Sequence, residues 1–417
     1  MGSYTKKSVD EFLRTAEESL RWFEGRSGVA EIDSTYYAEQ MWTLLEQIRR
    51  EYVESHPEEA VQCILYIFKI TGTMDIDDGY GDVYDAEREY IDCIRELLSE
   101  KVEKRFKDSV FKMLLSEIDG TIIDYQEDLL IDLLYDSFPE KWYKDLLLAF
   151  ADARIKESII TGNYRRRVFT RKCAPLWLDN GMPARNVVEK LIFDGTVTAC
   201  DTCLKIIEQA NDPALTYCVL KRYYHHITQS DRYGSRYDDK LRECETAVPE
   251  KYKDFLTFCK KRHTTENDYK SWKKLFPDDI WSILECIWYE TADNKKSLAR
   301  MSSNGQLIDK AFSRGRWNSI SVEEADDFAP VLKDAYPYEL LHLYYDAFES
   351  TALRTTTRKQ YKKLAYGIKR LEDLEGGSVA IPLIVRNVMK IKSSSHAFAE
   401  EMSEAFPEIV EHQALCL

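Results

Sequence analysis

Asp124, Asp128, Asp132 and Asp136 recur at every fourth residue, a spacing that brings four carboxylates toward one side of a helix. Like charges so placed repel by a few tenths of a kcal/mol per pair, so the ladder asks for compensation. A divalent cation or a basic protein partner would supply it. The plainer alternatives are a solvated face, or pairing with the basic run at 165–172. Leu129, Leu130, Leu133 and Leu134 give the same segment a buried stripe. We take Asp124, Asp128, Asp132 and Asp136 as partner-binding candidates. A metal-dependent enzyme built on this ladder is an alternative function; no metal ligands are assigned.

The opposite charge is concentrated in Tyr164-Arg165-Arg166-Arg167-Val168-Phe169-Thr170-Arg171-Lys172. Cations interleaved with aromatics can follow a phosphate backbone and stack bases. Tyr164, Arg165, Arg166, Arg167, Arg171 and Lys172 are therefore the nucleic-acid candidates. Lys260-Lys261-Arg262-His263 with Lys270, Trp272, Lys273 and Lys274 forms a second cluster. Arg354, Arg358, Lys359, Lys362 and Lys363 form a third. Tyr164 or Trp272 would do the stacking. A nucleic-acid-associated factor is thus a second alternative, against solvated helix faces balanced by nearby Asp and Glu.

Other patterns fail on spacing. Asp75, Asp77, Asp78, Asp82 and Asp85 resemble a calcium loop, but Tyr80 stands where glycine is needed and Ala86 where glutamate is needed. A turn and an N-terminal helix cap are expected there instead. Cys200-Asp201-Thr202-Cys203 lacks the βαβ context of a redox pair. A zinc site would have to draw in Cys259, His263 or the pair His225-His226, so neighbouring core thiols are the expectation. No phosphate loop, dinucleotide fingerprint, nucleophile elbow or His-Glu-x-x-His motif occurs. No cofactor is expected, and a non-enzymatic protein is.

The elements that must position these groups are helices. Few glycines and prolines for 417 residues disfavour a turn-rich β fold. Residues 5–24 place Phe12, Leu13, Ala16, Leu20 and Phe23 on one stripe, with Arg14, Glu17, Glu18 and Arg21 outward. Tyr37, Met41, Leu44, Leu45, Ile48 and Tyr52 form the next. A more buried helix follows Pro57, with Gly72 expected as its C-cap. Helices are read over 83–98, 102–118, 124–137 and 139–161, and 303–320 reads as a loop. β-Branched residues around Pro382 make Val379–Val388 the least secure helix.

Pro183, Pro213, Pro249, Pro277, Pro337 and Pro407 stand at expected helix starts, at intervals of about one or two tetratricopeptide-sized units. The fold class expected is all-α: an α-solenoid of antiparallel helical hairpins, degenerate tetratricopeptide-like repeats, some eighteen to twenty helices in all. Gly162-Asn163 marks a soft boundary between an acidic region, 1–162, and a helical-repeat region, 163–417. Residues 1–150 hold 17 Lys and Arg against 34 Asp and Glu; the remainder holds 41 against 39. The acidic third is a poor nucleic-acid surface. Ten scattered cysteines read as reduced, buried thiols. Without a signal peptide or an apolar run of about 18 residues, a cytoplasmic protein with no membrane association is expected.

Two stretches resemble a known family. One is Asp77-Asp78-Gly79-Tyr80-Gly81-Asp82-Val83 entering a helix. The other runs from Tyr338 to Leu374, through Leu340-Leu341-His342-Leu343-Tyr344-Tyr345, Arg358-Lys359-Gln360-Tyr361-Lys362-Lys363-Leu364-Ala365 and Ile368-Lys369-Arg370-Leu371. Together they resemble the long helical region that follows the zinc-binding module of prokaryotic SWIM zinc finger proteins. That resemblance implies a tetratricopeptide-like array over roughly residues 40–404 with a scaffold role. The family's Cys-x-Cys and Cys-x-His pairs are absent. The expected function is a non-enzymatic scaffold for protein–protein interaction, its acidic third favouring a basic segment.

Overall fold

A computed structural model describes residues 8–23, 31–99, 102–120, 124–162, 165–192, 197–210, 212–228, 234–259, 265–312 and 320–414. The protein is all-α: 23 α-helices and no strand among the described residues. It divides into two compact units, Met1–Ala149 and Phe150–Leu417.

The first unit contains α1 (Val9–Arg21), α2 (Glu31–Ile48), α3 (Pro57–Thr73), α4 (Asp82–Ser99), α5 (Lys104–Gly120), α6 (Asp124–Ser137) and the start of α7 (Lys141–Thr161). Helices pack on neighbours two further along: α1 on α3, α2 on α4, α3 on α5 and α4 on α6. That order follows from the stripes. Tyr37, Met41, Leu44, Leu45, Ile48 and Tyr52 are all buried, each apolar side chain removed from water contributing roughly 1.5–3 kcal/mol. α2 ends in a π-helical turn, Arg49–Val53, that keeps Tyr52 inward. Ser8 caps α1, its hydroxyl accepting from the Glu11 N–H. Asp78 caps α4, accepting from the N–H groups of Val83 and Tyr84 at 3.2 and 3.0 Å, with Gly81 at φ 81° in the turn. The Asp-rich loop is thus a turn and a cap.

Gly72 is not a C-cap. α3 continues through it to Thr73, and Met74 caps the end. The glycine is there because the Gln126 amide of α6 packs on its Cα, where a Cβ would overlap the carboxamide oxygen.

In the second unit α8 (Arg165–Asp179), α9 (Ala184–Leu191), α10 (Val197–Ala210), α11 (Pro213–Thr228) and α12 (Gly234–Ala247) pack each on the next. Then come α13 (Glu250–Phe258), α14 (Glu266–Lys273), α15 (Asp278–Thr291), α16 (Lys295–Met301) and α17 (Gly305–Phe312). The chain closes with α18 (Val322–Leu332), α19 (Pro337–Arg354), α20 (Arg358–Lys369), α21 (Gly377–Ile391), α22 (His396–Ala405) and α23 (Pro407–Ala414). All six marked prolines stand at helix starts: Pro183, Pro249 and Pro277 as N-caps, Pro213, Pro337 and Pro407 as first residues.

Two readings need correction here. The helices number more than twenty because short ones such as α16 and α17 escape a periodicity search. The expected loop at 303–320 contains α17, whose Leu307, Ile308, Ala311 and Phe312 are buried; residues 313–319 lie outside the described part. Val379–Val388 is helical, since Ile381, Ile384, Val385 and Val388 are buried in α21, which packs on α19.

The core here is aromatic. Phe255 meets Trp272, Phe276, Trp281 and Trp288 at centroid distances of 5.3–5.6 Å, fastening α13, α14 and α15 together. Trp272, offered above as a base-stacking residue, is half-buried in this cluster.

Candidate protein-binding groove

The aspartate ladder lies on α6, but not as four equivalent carboxylates. A step of four residues overshoots a helical turn by about 40°, so Asp136 is about 120° around from Asp124. Accordingly Asp128 and Asp132 are half-buried while Asp136 is exposed; the Asp124 side chain lies outside the described part. Gln126 and Glu127, between the rungs, are buried. The Gln126 amide donates to the Phe68 carbonyl at 3.0 Å and to the Glu87 carboxylate. Sequence periodicity gave no sign of that buried polar contact.

The basic run forms the first turns of α8. Tyr164 and the side chains of Arg165, Arg166 and Arg167 lie outside the described part. Arg171 and Lys172 are half-buried, and Phe169 and Thr170 between them and the first turn are buried. Residues 260–264, including His263, also lie outside the described part.

A groove of about 740 Å³ lies in the first unit, where the π turn runs into α3 and α4 gives way to α5. Val53, Pro57, Leu97, Val102 and Phe106 line its apolar part. Glu54, Glu58, Glu59 and Glu103 line its polar part, with His56, and no lysine or arginine is among the lining residues. Local folding puts the glutamates there. Pro57 opens α3 as its first residue, so Glu58 and Glu59 occupy the first turn, where the helix N-terminus favours acids. On α5, Lys104 pairs with Asp108 at 2.8 Å and Lys107 with Glu140 at 2.6 Å, while Arg105, next to Phe106, is exposed. The result is a trough with an apolar part and a part lined by four glutamates. It can hold a cationic segment noncovalently.

The second unit buries two polar centres. Glu285 accepts from the Tyr269 hydroxyl and from Ser302 Oγ at 3.0 Å, and burial pushes its carboxyl up to about 7. Around His342, Nδ1 lies 2.6 Å from Asp309 Oδ1 and Nε2 3.8 Å from Asp346 Oδ1. An Asp–His pair is the stuff of acid–base catalysis. Here its side chains are only 11% and 12% exposed, and the backbone of Gly162 covers Nε2. Both centres are buried.

Nine cysteines are described, all buried and free; burial pushes the Cys173 and Cys200 thiols up to about 12, away from thiolate chemistry. Cys200 and Cys203 are core residues of α10. Among the described residues no three His, Cys, Asp or Glu side chains are placed to hold a metal ion, and no helix is long and apolar enough to cross a membrane. No protein-family model, curated protein or solved structure matches the chain.

Proposed function

We propose that this chain is a non-enzymatic helical-repeat scaffold of the cytoplasm, and that its acidic unit holds a basic segment of a protein partner. The observation that carries this reading is the groove between the π turn and α5, apolar along Val53, Pro57, Leu97 and Phe106 and rimmed by four glutamates with no lining cation. A partner segment with one or two apolar anchors between Lys and Arg complements it in shape and charge. The surrounding unit, with 34 acidic against 17 basic residues, steers such a segment inward. The alternation of neighbours along α1–α6 supports an array of stacked hairpins, and the SWIM-like stretches agree with a scaffold role.

The test is titration of a labelled Lys/Arg/Leu peptide into the full chain, read by fluorescence anisotropy. Binding should weaken with salt and fall about tenfold in the Glu58→Lys, Glu103→Lys double variant. Absence of binding, or a loss confined instead to an Asp132→Lys, Asp136→Lys variant, would remove the groove from the proposal.

A further inference from the structure

A second groove, in the other unit, has the opposite electrostatic character. α18 and α20 both pack on α19, and the space between them, about 500 Å³, has α19 as its floor. Phe348 and Thr351 form that floor, with Val322 and Leu364 on the walls. Gly367 keeps the α20 wall close to it: a Cβ there would lie 3.0 Å from Phe348 Cε1. Tyr366, 71% exposed, stands at the opening.

Three cations and two carboxylates line this space: Arg354, Lys363, Arg370, Glu323 and Asp326. Asp326 is already engaged, accepting from the Tyr344 hydroxyl at 2.7 Å with Arg370 3.5 Å away. Arg354 and Lys363 are exposed and make no ion pair with any described residue. Glu323, in the first turn of α18, is favoured by that helix N-terminus. The balance left for a ligand is positive. The other basic residues of the same sequence cluster go elsewhere, Arg358 to Glu400 and Glu401 and Lys362 to Glu401, all on α22.

We propose that the groove between α18 and α20 docks an acidic amphipathic helix of a protein partner, its apolar side facing Val322, Phe348, Leu364 and Tyr366 and its carboxylates meeting Arg354 and Lys363. A groove walled by α18 and α20 and floored by α19 offers an apolar surface on which the apolar face of a further helix can be laid. A nucleic acid is the poorer fit, because strand binding draws on many phosphate contacts and two open cations give few. This inference rests on the second unit alone and stands apart from the acidic groove.

The probe is a synthetic Glu/Leu amphipathic peptide of about four helical turns, titrated into the full chain. Binding should fall about tenfold in the Arg354→Glu, Lys363→Glu variant, whose altered side chains are exposed. Tyr366→Ala should weaken it severalfold without changing charge. Lys359→Glu, exposed on the same helix but outside the groove, should leave it within about twofold. Glu58→Lys, Glu103→Lys should also leave it unchanged. No binding to the folded wild-type chain, an equal loss in Lys359→Glu, or equally tight binding of a single-stranded oligonucleotide at the same site would overturn the proposal.

Discussion

The two units solve the same packing problem with different chemistry. Each seats a buried polar side chain beneath a glycine: Gln126 under Gly72 in the first, His342 under Gly162 in the second. In the first, a neutral amide satisfies the Phe68 carbonyl and the Glu87 carboxylate. In the second, an imidazole lies between Asp309 and Asp346. The surfaces differ as well: a trough lined by four glutamates and no lysine or arginine in one, and in the other a groove lined by three cations and two carboxylates. Buried polar centres here join side chains of different helices, and the two grooves differ in the charges that line them. An unmade hydrogen bond at such a centre costs more than a made one contributes, which is why each glycine is needed.

The sharpest way to break the parallel is at the glycines. Gly162→Ala combines a left-handed backbone, φ +67°, with a Cβ 2.7 Å from His342 Nε2. It should destabilise the second unit by about 3 kcal/mol in chemical denaturation. Gly72→Ala has ordinary helical backbone and meets only a side-chain end, so the first unit should lose about 1–2 kcal/mol. Equal losses would mean that the left-handed geometry adds nothing.

The next contrast is pH. Burial holds the Glu285 carboxyl at about 7 rather than 4.5, so the folded state keeps its proton where the unfolded chain releases it. Its stabilising contribution is full below about pH 4.5 and is lost as pH rises through about 7. In the first unit Glu17, Asp108 and Glu140 are lowered, chiefly by hydrogen bonds from Tyr66, Lys104 and Lys107 respectively. Their smaller, salt-screened contributions run the other way and fade as pH falls below the ordinary carboxylate range. Hydrogen exchange followed peptide by peptide should show α15 loosening between pH 5 and about 8, with Glu285→Gln abolishing that slope. A slope that survives the substitution would assign the pH dependence to another group.

The smallest effects separate two kinds of ion pair. Glu401 is 3% exposed and is met by Arg358 and Lys362, so Arg358→Ala should speed exchange in α22 several-fold. Arg21 and Glu17 are 42% and 37% exposed, and Arg21→Ala should leave melting within about 1 °C. If both variants behave alike, burial of Glu401 carries no energetic weight.

Much of the architecture was legible residue by residue. The stripe from Tyr37 to Tyr52, the prolines at helix starts and the Asp78 cap depend on neighbours within one or two turns, and local spacing encodes them. The candidate sites were less legible. An aspartate ladder drifts around its helix, and Gly72 resembles a cap until Gln126, far along the chain, is placed on it. Arg358 and Arg354 belong to the same basic run, yet one turns to Glu401 and the other lines a groove. The sequence by itself determined helix content, most helix starts and the charge asymmetry between the first 149 residues and the rest, because those follow from short-range periodicity and composition. Tertiary structure alone decided which carboxylates are buried, which cations are left open and where the grooves lie, because a charge's environment depends on partners brought near only when distant helices pack.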